Sequence, residues 1–388
     1  LRVAIVHDWL VTYAGSERVL EQLIALFPQA DVFSLIDFLP AGERRFLAGK
    51  RVTTSFLQRL PYARRKYAAY LPLMPLAVEQ FDLSPYDLVI SSSHCVAKGV
   101  LTGPDQLHIS YVHTPMRYAW DAQHEHLAGA GLDRGLRGWW ARWMLHKLRM
   151  WDVRSANGVD SFVANSHFIA RRIEKAYRRT ARVIYPPVDT DAFSPNENRE
   201  DFFVTASRLT PYKKVGVLVE AFRRMPSKQL VVIGEGPELK SLRARAPANV
   251  KLAGYQSFEA LRSYLERAAA FLYAAREDFG IVVAEAQAAG CPVIAFGRGG
   301  AAEIVRGAQA ERPTGVLFEE QTPESVVAAV AEFEHGRNRI TPAECRAGAL
   351  RFGVDRFRRE FFEHAMQAWE DFQHSKSRRA PVTSLRVA

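Results

Sequence analysis

Short apolar runs bounded by glycine, proline, serine or asparagine alternate along this chain with stretches whose apolar residues recur every three to four positions. That alternation predicts βα units and parallel sheets. Runs at 3–6, 31–36, 88–91, 108–112 and 161–164 read as strands in the first half, and runs at 202–206, 230–233, 271–274 and 293–295 in the second. Helical spacing covers 215–225, 258–268 and 281–289. The pattern predicts two Rossmann-like halves, a first domain over 1–195 and a second over 196–355. The boundary is placed in the proline-containing, polar passage from Tyr185 to Asp201. A last helical pattern at 356–372 carries Phe357, Phe361, Phe362, Ala365, Ala368, Trp369 and Phe372. It is expected to pack back on the first domain over 356–375, and the tail 375–388 to fray.

Composition adds little until charge is counted. The 388 residues suffice for two domains, and 48% apolar with 24% charged is the balance of a globular chain, which excludes pervasive disorder and fibrous repeats. The formal charge of +10 points to an anionic partner: nucleic acid, an acidic membrane surface or a phosphorylated substrate. Cys95, Cys291 and Cys345 are odd in number and far apart, which predicts neither a disulfide framework nor a zinc site and fits a reducing interior. The opening run breaks at His7 and Asp8, too short for a signal peptide, and no stretch approaches the roughly 18 apolar residues of a membrane helix.

The most informative stretch runs from Ala274 to Phe296, where a strand ends, a loop carries Glu277, Asp278, Phe279 and Gly280, and a helix begins near Ile281. In an open α/β sheet ligands sit beyond the carboxyl ends of strands, where a helix N-terminus offers free N–H groups to a phosphate. Glu285 lies one turn in. If the eight steps from Glu277 were helical, the two carboxylates would be about 12 Å apart, too far for the roughly 5–5.5 Å of a retaining glycosidase pair. Separate roles on one extended ligand fit better, beside the plainer alternative of a solvated helix with two exposed acids. Arg208 and Lys213 follow another strand, where a guanidinium fork and an ammonium converge on a diphosphate; Pro211–Lys214 as an ordinary exposed turn stays open.

Together, Ser207-Arg-Leu with Lys213, Val232-Ile-Gly-Glu-Gly-Pro237, Glu277 with Glu285, Gly290-x-Pro-Val293 and Gly299-Gly-Ala-Ala-Glu303 resemble the retaining nucleotide-sugar glycosyltransferases of family 4. The resemblance is close over 200–320 and looser elsewhere. It implies the GT-B fold, an α/β architecture of two Rossmann-like domains facing a cleft with the C-terminal helix returning to the first. It further implies that Arg208 and Lys213 bind the donor diphosphate, that Glu277 contacts the donor sugar and that Glu285 holds the ribose. Asp278, Phe279, Gly280 and Ile281 join the donor-binding set. Lys214 stands where the family often has glycine.

In the first half, His113, Arg117, Tyr118, Trp120 and Asp121 fall within nine residues after a strand, a density that suits a sugar pocket; a structural histidine is the plainer reading of His113. The stretch His113-Thr-Pro-Met-Arg-Tyr-Ala-Trp-Asp121 is similar to one in mannosyltransferase-like members that build bacterial O-antigen or exopolysaccharide. That similarity makes His113, with Glu277, Lys213 and Arg208, the expected catalytic set. Gly15 is expected in a glycine loop near the donor phosphate, and Ser16 as a helix N-cap.

The expected reaction is retaining transfer of a sugar, mannose from GDP-mannose, to a lipid-linked oligosaccharide acceptor. UDP-sugars, a non-catalytic sugar-nucleotide binder and a basic nucleic-acid-binding protein are the alternatives, although no nucleic-acid motif appears, so no nucleic-acid partner is expected. Asp189-Thr-Asp191 has metal-site spacing but sits in the connecting passage and reads as a turn, so no divalent metal and no cofactor are expected. Gly234-x-Gly236 lacks the third glycine of a dinucleotide site, having Leu239 there. The positive charge clusters: 44–78 holds eight basic residues and no acid, 134–154 six against Asp152, and 171–182 six against Glu174. Tyr62, Tyr67, Tyr70 and Leu71 accompany the first cluster and Trp139, Trp140, Trp143 and Trp151 the second. A stripe of Leu136, Trp140, Trp143, Leu148 and Trp151 reads either as a core-facing helix or, with its arginines, as a surface for an anionic membrane. The latter predicts a cytoplasmic protein held peripherally on the inner face of the cytoplasmic membrane through 44–78 and 134–154.

Overall fold

The computed structural model describes residues 1–379. It divides into two compact units, one comprising Leu1–Asn165, Ile169–Ile184 and the chain from Arg358 on, the other Ser166–Phe168 and Tyr185–Phe357. The division falls at Tyr185 rather than near 195 because the connecting passage adheres to the second unit. There Val188 N–H donates to Phe352 O at 2.9 Å, and the Tyr185 ring packs on Phe279 and Phe352.

The first unit holds a seven-stranded, wholly parallel sheet of β1 (Val3–His7), β2 (Asp31–Ser34), β3 (Val52–Thr54), β4 (Leu88–Ser93), β5 (Leu107–Val112), β6 (Ser161–Ala164) and β7 (Arg182–Val183), in the order β3-β2-β1-β4-β5-β6-β7. The second unit holds β8 (Phe203–Ala206), β9 (Leu230–Ile233), β10 (Val250–Gly254), β11 (Ala270–Tyr273), β12 (Val293–Phe296) and β13 (Gly315–Phe318), in the order β10-β9-β8-β11-β12-β13. All pairings are parallel. The central strands are near-continuous apolar runs because helices cover both faces, as Val3, Ala4, Ile5 and Val6 show in β1. The sequence pattern misses β3, β7, β10 and β13; the first three are short or only partly buried.

Both sheets reverse strand order once, between β1 and β4 in the first unit and between β8 and β11 in the second, and at such a switch point the loops leaving the carboxyl ends part to leave room for a ligand. Six helices matter to the chemistry: α1 (Gly15–Leu26), α2 (Gly135–Ser155), α3 (His167–Tyr177), α4 (Val215–Arg223), α5 (Ile281–Ala288) and α6 (Val354–Arg379). From Arg358 on, α6 belongs to the first unit, where Phe361 meets Tyr111, Phe362 meets Phe27 and His364 Nε2 lies 2.9 Å from Ser161 Oγ. The tail expected to fray from 375 is still helical to Arg379, and the remainder lies outside the described residues.

Candidate active site

At the switch point of the second sheet, β8 leads into Arg208 and a single 3-10 turn, Pro211–Lys213, while β11 leads into the Glu277–Gly280 loop and α5. Lys213 Nζ lies 2.9 Å from Glu277 Oε2 and donates to the Tyr273 hydroxyl at 3.0 Å, with the two charged side chains only 11% and 18% exposed. Burial, the largest influence on Lys213, opposes its charge, but Tyr273, Glu277 and Tyr212 outweigh it and hold the ammonium above its ordinary range. Burial first, then the Glu277 charge, pushes the Tyr273 phenol up. Glu277 Oε1 is buried without a hydrogen-bond partner, an expensive state for a carboxylate oxygen. Arg208 is exposed and makes no ion pair among the described residues.

The Glu277–Gly280 loop is held by backbone packing. Gly300 N–H donates to Glu277 O at 2.8 Å, and a Cβ at Gly300 would stand 2.3 Å from Phe279 Cα, so the Gly299-Gly300 pair is what lets the two loops touch. Gly280 ends the loop on left-handed backbone with φ 97°, turning the chain into α5, whose first amides have no intrahelical partners. Ile281 opens that helix half-buried, and Glu285, one turn in, is buried. The Asp278 carbonyl accepts from Ser166 Oγ at 2.5 Å. Phe279 is 3% exposed, its ring packed in the core against Tyr185 and Phe352. Lys214 sits on left-handed backbone, φ 56°, as the residue before α4, which explains why a glycine suits this position and shows that it is Lys213 that meets Glu277.

The first sheet assembles a second polar cluster at its switch point, largely invisible in the sequence. His7 and Ser92, paired across β1 and β4, place His7 Nδ1 3.1 Å from Ser92 Oγ, and the same hydroxyl lies 2.9 Å from His113 Nε2 beyond β5. His7 Nε2 faces Glu17 Oε1 at 3.4 Å. Glu17, not Ser16, closes the start of α1: its Oε2 accepts from Ala14 N–H and from Ser16 Oγ, both at 3.0 Å, and Gly15 is the first helical residue. Burial, the largest influence on Glu17, raises its pKa, but hydrogen bonds, that with His7 foremost, bring it below the ordinary carboxylate range. Burial holds His113 well below the ordinary imidazole range. Asp8, wholly buried, accepts four backbone N–H bonds, from His94 at 2.6 Å, Cys95 at 2.9 Å, Val96 at 2.6 Å and Ala97 at 2.7 Å, fixing the turn after β4.

The expected sugar-pocket residues are largely occupied in holding their own loop. The Tyr118 hydroxyl meets Cys95 Sγ at 2.8 Å, Trp120 Nε1 donates to Asp152 Oδ2 at 2.8 Å, and Asp121 pairs with Arg172. Arg117 is half-buried in the turn Arg117–Ala119. Behind them Lys98, fully buried, donates to Asp152 O and Ser155 Oγ at 2.7 Å, tying the loop after β4 to α2. The predicted stripe on α2 divides: Leu148 packs inward with Leu145 and Gly138, and Trp151 half-buries, donating to Glu79 at 2.7 Å. Leu136, Trp139, Trp140 and Trp143 point out, 88%, 67%, 47% and 43% exposed. At about 100° per residue they share one face with Lys147, Met150 and Arg154. Of the apolar companions in 44–78, Tyr67, Tyr70 and Leu71 pack on the core while Tyr62 is exposed.

The Asp189-Thr-Asp191 motif forms a turn, Asp189 accepting from Ala192 N–H at 3.3 Å and Asp191 meeting Arg346. The glycines of Gly234-x-Gly236 have a packing reason, since a Cβ at Gly234 would stand 1.9 Å from Ser207 O. All three cysteines are buried thiols, and no described helix is long and apolar enough to cross a membrane.

Comparison with known proteins bears on both units. The family model described as Glycosyltransferase Family 4 matches residues 13–192, and the one described as Glycosyl transferases group 1 matches 188–349. The GDP-mannose-dependent alpha-(1-6)-phosphatidylinositol monomannoside mannosyltransferase of Mycobacterium tuberculosis is 32% identical over 217 residues, 48% of this chain and 55% of that protein. The D-inositol 3-phosphate glycosyltransferase of Geodermatophilus obscurus is 29% identical over 265 residues, 59% of this chain and 57% of that one. The matches thus span about half the length of these curated relatives. Among solved structures, HepE from Anabaena in complex with UDP superimposes with a TM-score of 0.69 at 18% identity, covering 95% of this chain and 100% of that one. Sucrose-phosphate synthase from Thermosynechococcus elongatus gives 0.66 at 16%, covering 97% and 100%.

Proposed function

We propose that this chain, whose residues 13–192 match the family 4 model and 188–349 the group 1 model, is a glycosyltransferase that moves mannose from GDP-mannose to a lipid-linked oligosaccharide with retention of anomeric configuration. The observation that carries the reading is the Lys213–Glu277 pair beside the start of α5, with Glu277 Oε1 buried and unpartnered. In this reading Arg208, Lys213 and the α5 amides hold the diphosphate, where their preorganised charge stabilises the leaving group. Glu277 accepts from a hydroxyl of the donor sugar, Glu285 from the ribose, and His113 serves near the reacting sugar. The bond from the anomeric carbon to the diphosphate oxygen breaks, its electron pair leaving with the nucleotide. The acceptor hydroxyl oxygen bonds the same face and gives up its proton to the departing diphosphate oxygen.

Mannose and a lipid acceptor are supported by the mycobacterial relative, whose name states both. The exposed tryptophan and basic face of α2, with Arg64, Arg65 and Lys66 exposed in the other basic segment, supports peripheral attachment to the inner face of an anionic membrane. Calorimetry and donor hydrolysis across GDP-mannose, UDP-sugars and an oligonucleotide test the reading. Binding and turnover of GDP-mannose are expected. Preferred turnover of UDP-glucose replaces the donor, binding without turnover of any donor makes the chain a non-catalytic binder, and tight salt-dependent oligonucleotide binding overturns the class.

A further inference from the structure

Glu17, His7, Ser92 and His113 form one unbroken line of polar contacts across β1, β4 and the end of β5, at 3.4, 3.1 and 2.9 Å. His7 and Ser92 are wholly buried, Glu17 nearly so, and sequence separations of 85 and 21 residues join them, so the line exists only through the strand register. A hydroxyl carries one hydrogen. Ser92 Oγ therefore cannot donate to both rings, and at least one imidazole must donate to it. Which way the line runs is decided at its end. The Glu17 carboxylate accepts from Ala14 N–H and Ser16 Oγ through Oε2, so it faces His7 as an acceptor.

An acceptor at Glu17 requires N–H on His7 Nε2. The 3.4 Å contact is longer than the roughly 2.7–2.9 Å of a charge-assisted pair, which fits a ring with a single proton. His7 Nδ1 then accepts from Ser92 O–H, Ser92 accepts from His113 Nε2–H, and His113 Nδ1 is left with its lone pair. That nitrogen makes no hydrogen bond among the described residues, and His113 is half-buried rather than sealed, which leaves the nitrogen for a ligand. Of the other charged groups nearby, Asp8 is engaged by four amides and by His94 Nδ1 at 3.1 Å, and the His94 ring stands 6.0 Å from His7 and 6.2 Å from His113 without a hydrogen bond to either.

We propose that Glu17, His7 and Ser92 are positioning residues that fix His113 in its Nε2–H tautomer and present Nδ1 as a hydrogen-bond acceptor to a sugar hydroxyl. The substrate role rests on the transferase reading; the tautomer does not. A long-range proton–nitrogen correlation spectrum of the full chain, labelled on histidine nitrogens at neutral pH, reads the tautomer directly. His113 is expected with a protonated Nε2 and a bare Nδ1, and His7 likewise. A bare His113 Nε2, or His7 protonated on both nitrogens, overturns the proposal. Glu17→Gln, three contacts from the His113 ring, is expected to turn its spectrum into a tautomer mixture and to lower kcat on the order of 10-fold with the donor KM little changed. Ser92→Ala, which breaks the line in the middle, is expected to do the same. An unmixed Nε2–H signal in a folded variant of either kind refutes the relay. Because the wild-type spectrum needs no turnover, failure of the transferase reading leaves this test intact.

Discussion

Replacing Lys213 by methionine separates what the ion pair does for folding from what it does for the donor. In the folded chain Lys213 Nζ stands 2.9 Å from Glu277 Oε2 while Oε1 is already unpartnered, so the variant leaves a carboxylate with neither oxygen satisfied by a cation. Breaking a buried pair from one side costs roughly 3–5 kcal/mol, and the partial exposure of both side chains discounts this to about 2–3 kcal/mol. A second substitution, Glu277→Met, removes the stranded charge, and exchange of both partners for apolar groups of similar size is expected to bring stability back to within about 1 kcal/mol of the parent. Turnover should behave otherwise. Losing one preorganised charge at a developing diphosphate costs about 100- to 1,000-fold in kcat, and the double variant restores nothing. Urea unfolding and release of nucleotide from the sugar nucleotide measure the two quantities on the same preparations. A double variant that regains both stability and turnover refutes the placement of the donor phosphates here, and so does a single variant with near-normal turnover.

Burial holds His108 down to about 4, its ring lodged between Ser91 Oγ at 2.9 Å and Gly158 O at 3.1 Å. Between pH 6.5 and 4 the unfolded chain binds a proton that the folded chain refuses, so stability is full above pH 6.5 and falls by about 1.4 kcal/mol per pH unit through that window. Urea midpoints of His108→Gln should fall less steeply there, and an unchanged slope would show that other groups govern the loss. Lys214→Gly removes a left-handed lysine, worth roughly 1 kcal/mol, against an unfolded-chain penalty of about 0.5–1 kcal/mol, so stability should be unchanged or slightly higher with turnover kept. Turnover lost to the extent seen without Lys213 would put Lys214 at the phosphates instead. Trp139, Trp140 and Trp143 replaced together by alanine should abolish sedimentation with anionic vesicles at low salt while GDP-mannose hydrolysis in solution persists. Parent protein that fails to sediment removes the membrane reading. Transfer should survive EDTA; its loss there, with restoration by magnesium or manganese, refutes metal-independent transfer.

What the sequence could and could not show follows from how each feature is encoded. Each arm of the Lys213–Glu277 pair is written locally: a strand, a turn with its cations, a strand, a loop with its acid and a helix start. Only the β8–β11 adjacency is non-local, and alternation of strands and helices already implies a sheet that brings such ends together. The Glu17–His7–Ser92–His113 line has no local form. Ser91, Ser92 and Ser93 read as the end of a strand because polar residues are expensive in a buried sheet. They continue β4 because their hydroxyls find partners such as His108, His7 and His113, which only the folded register supplies. Periodicity failed on α2 for a related reason. Spacing locates an apolar stripe but not the direction it faces, and the inward side is set by Gly138, Leu145, Leu148 and Asp152, with Asp152 held by Lys98, Trp120 and Tyr177 from three other elements. A buried acid inside a tryptophan-rich helix reads from sequence as a break in hydrophobicity; in the fold it is what anchors the inward face and leaves the tryptophans outside. Where a polar residue stands in a predicted core stripe with no local partner, its satisfaction by distant groups, rather than the stripe itself, decides which face is buried.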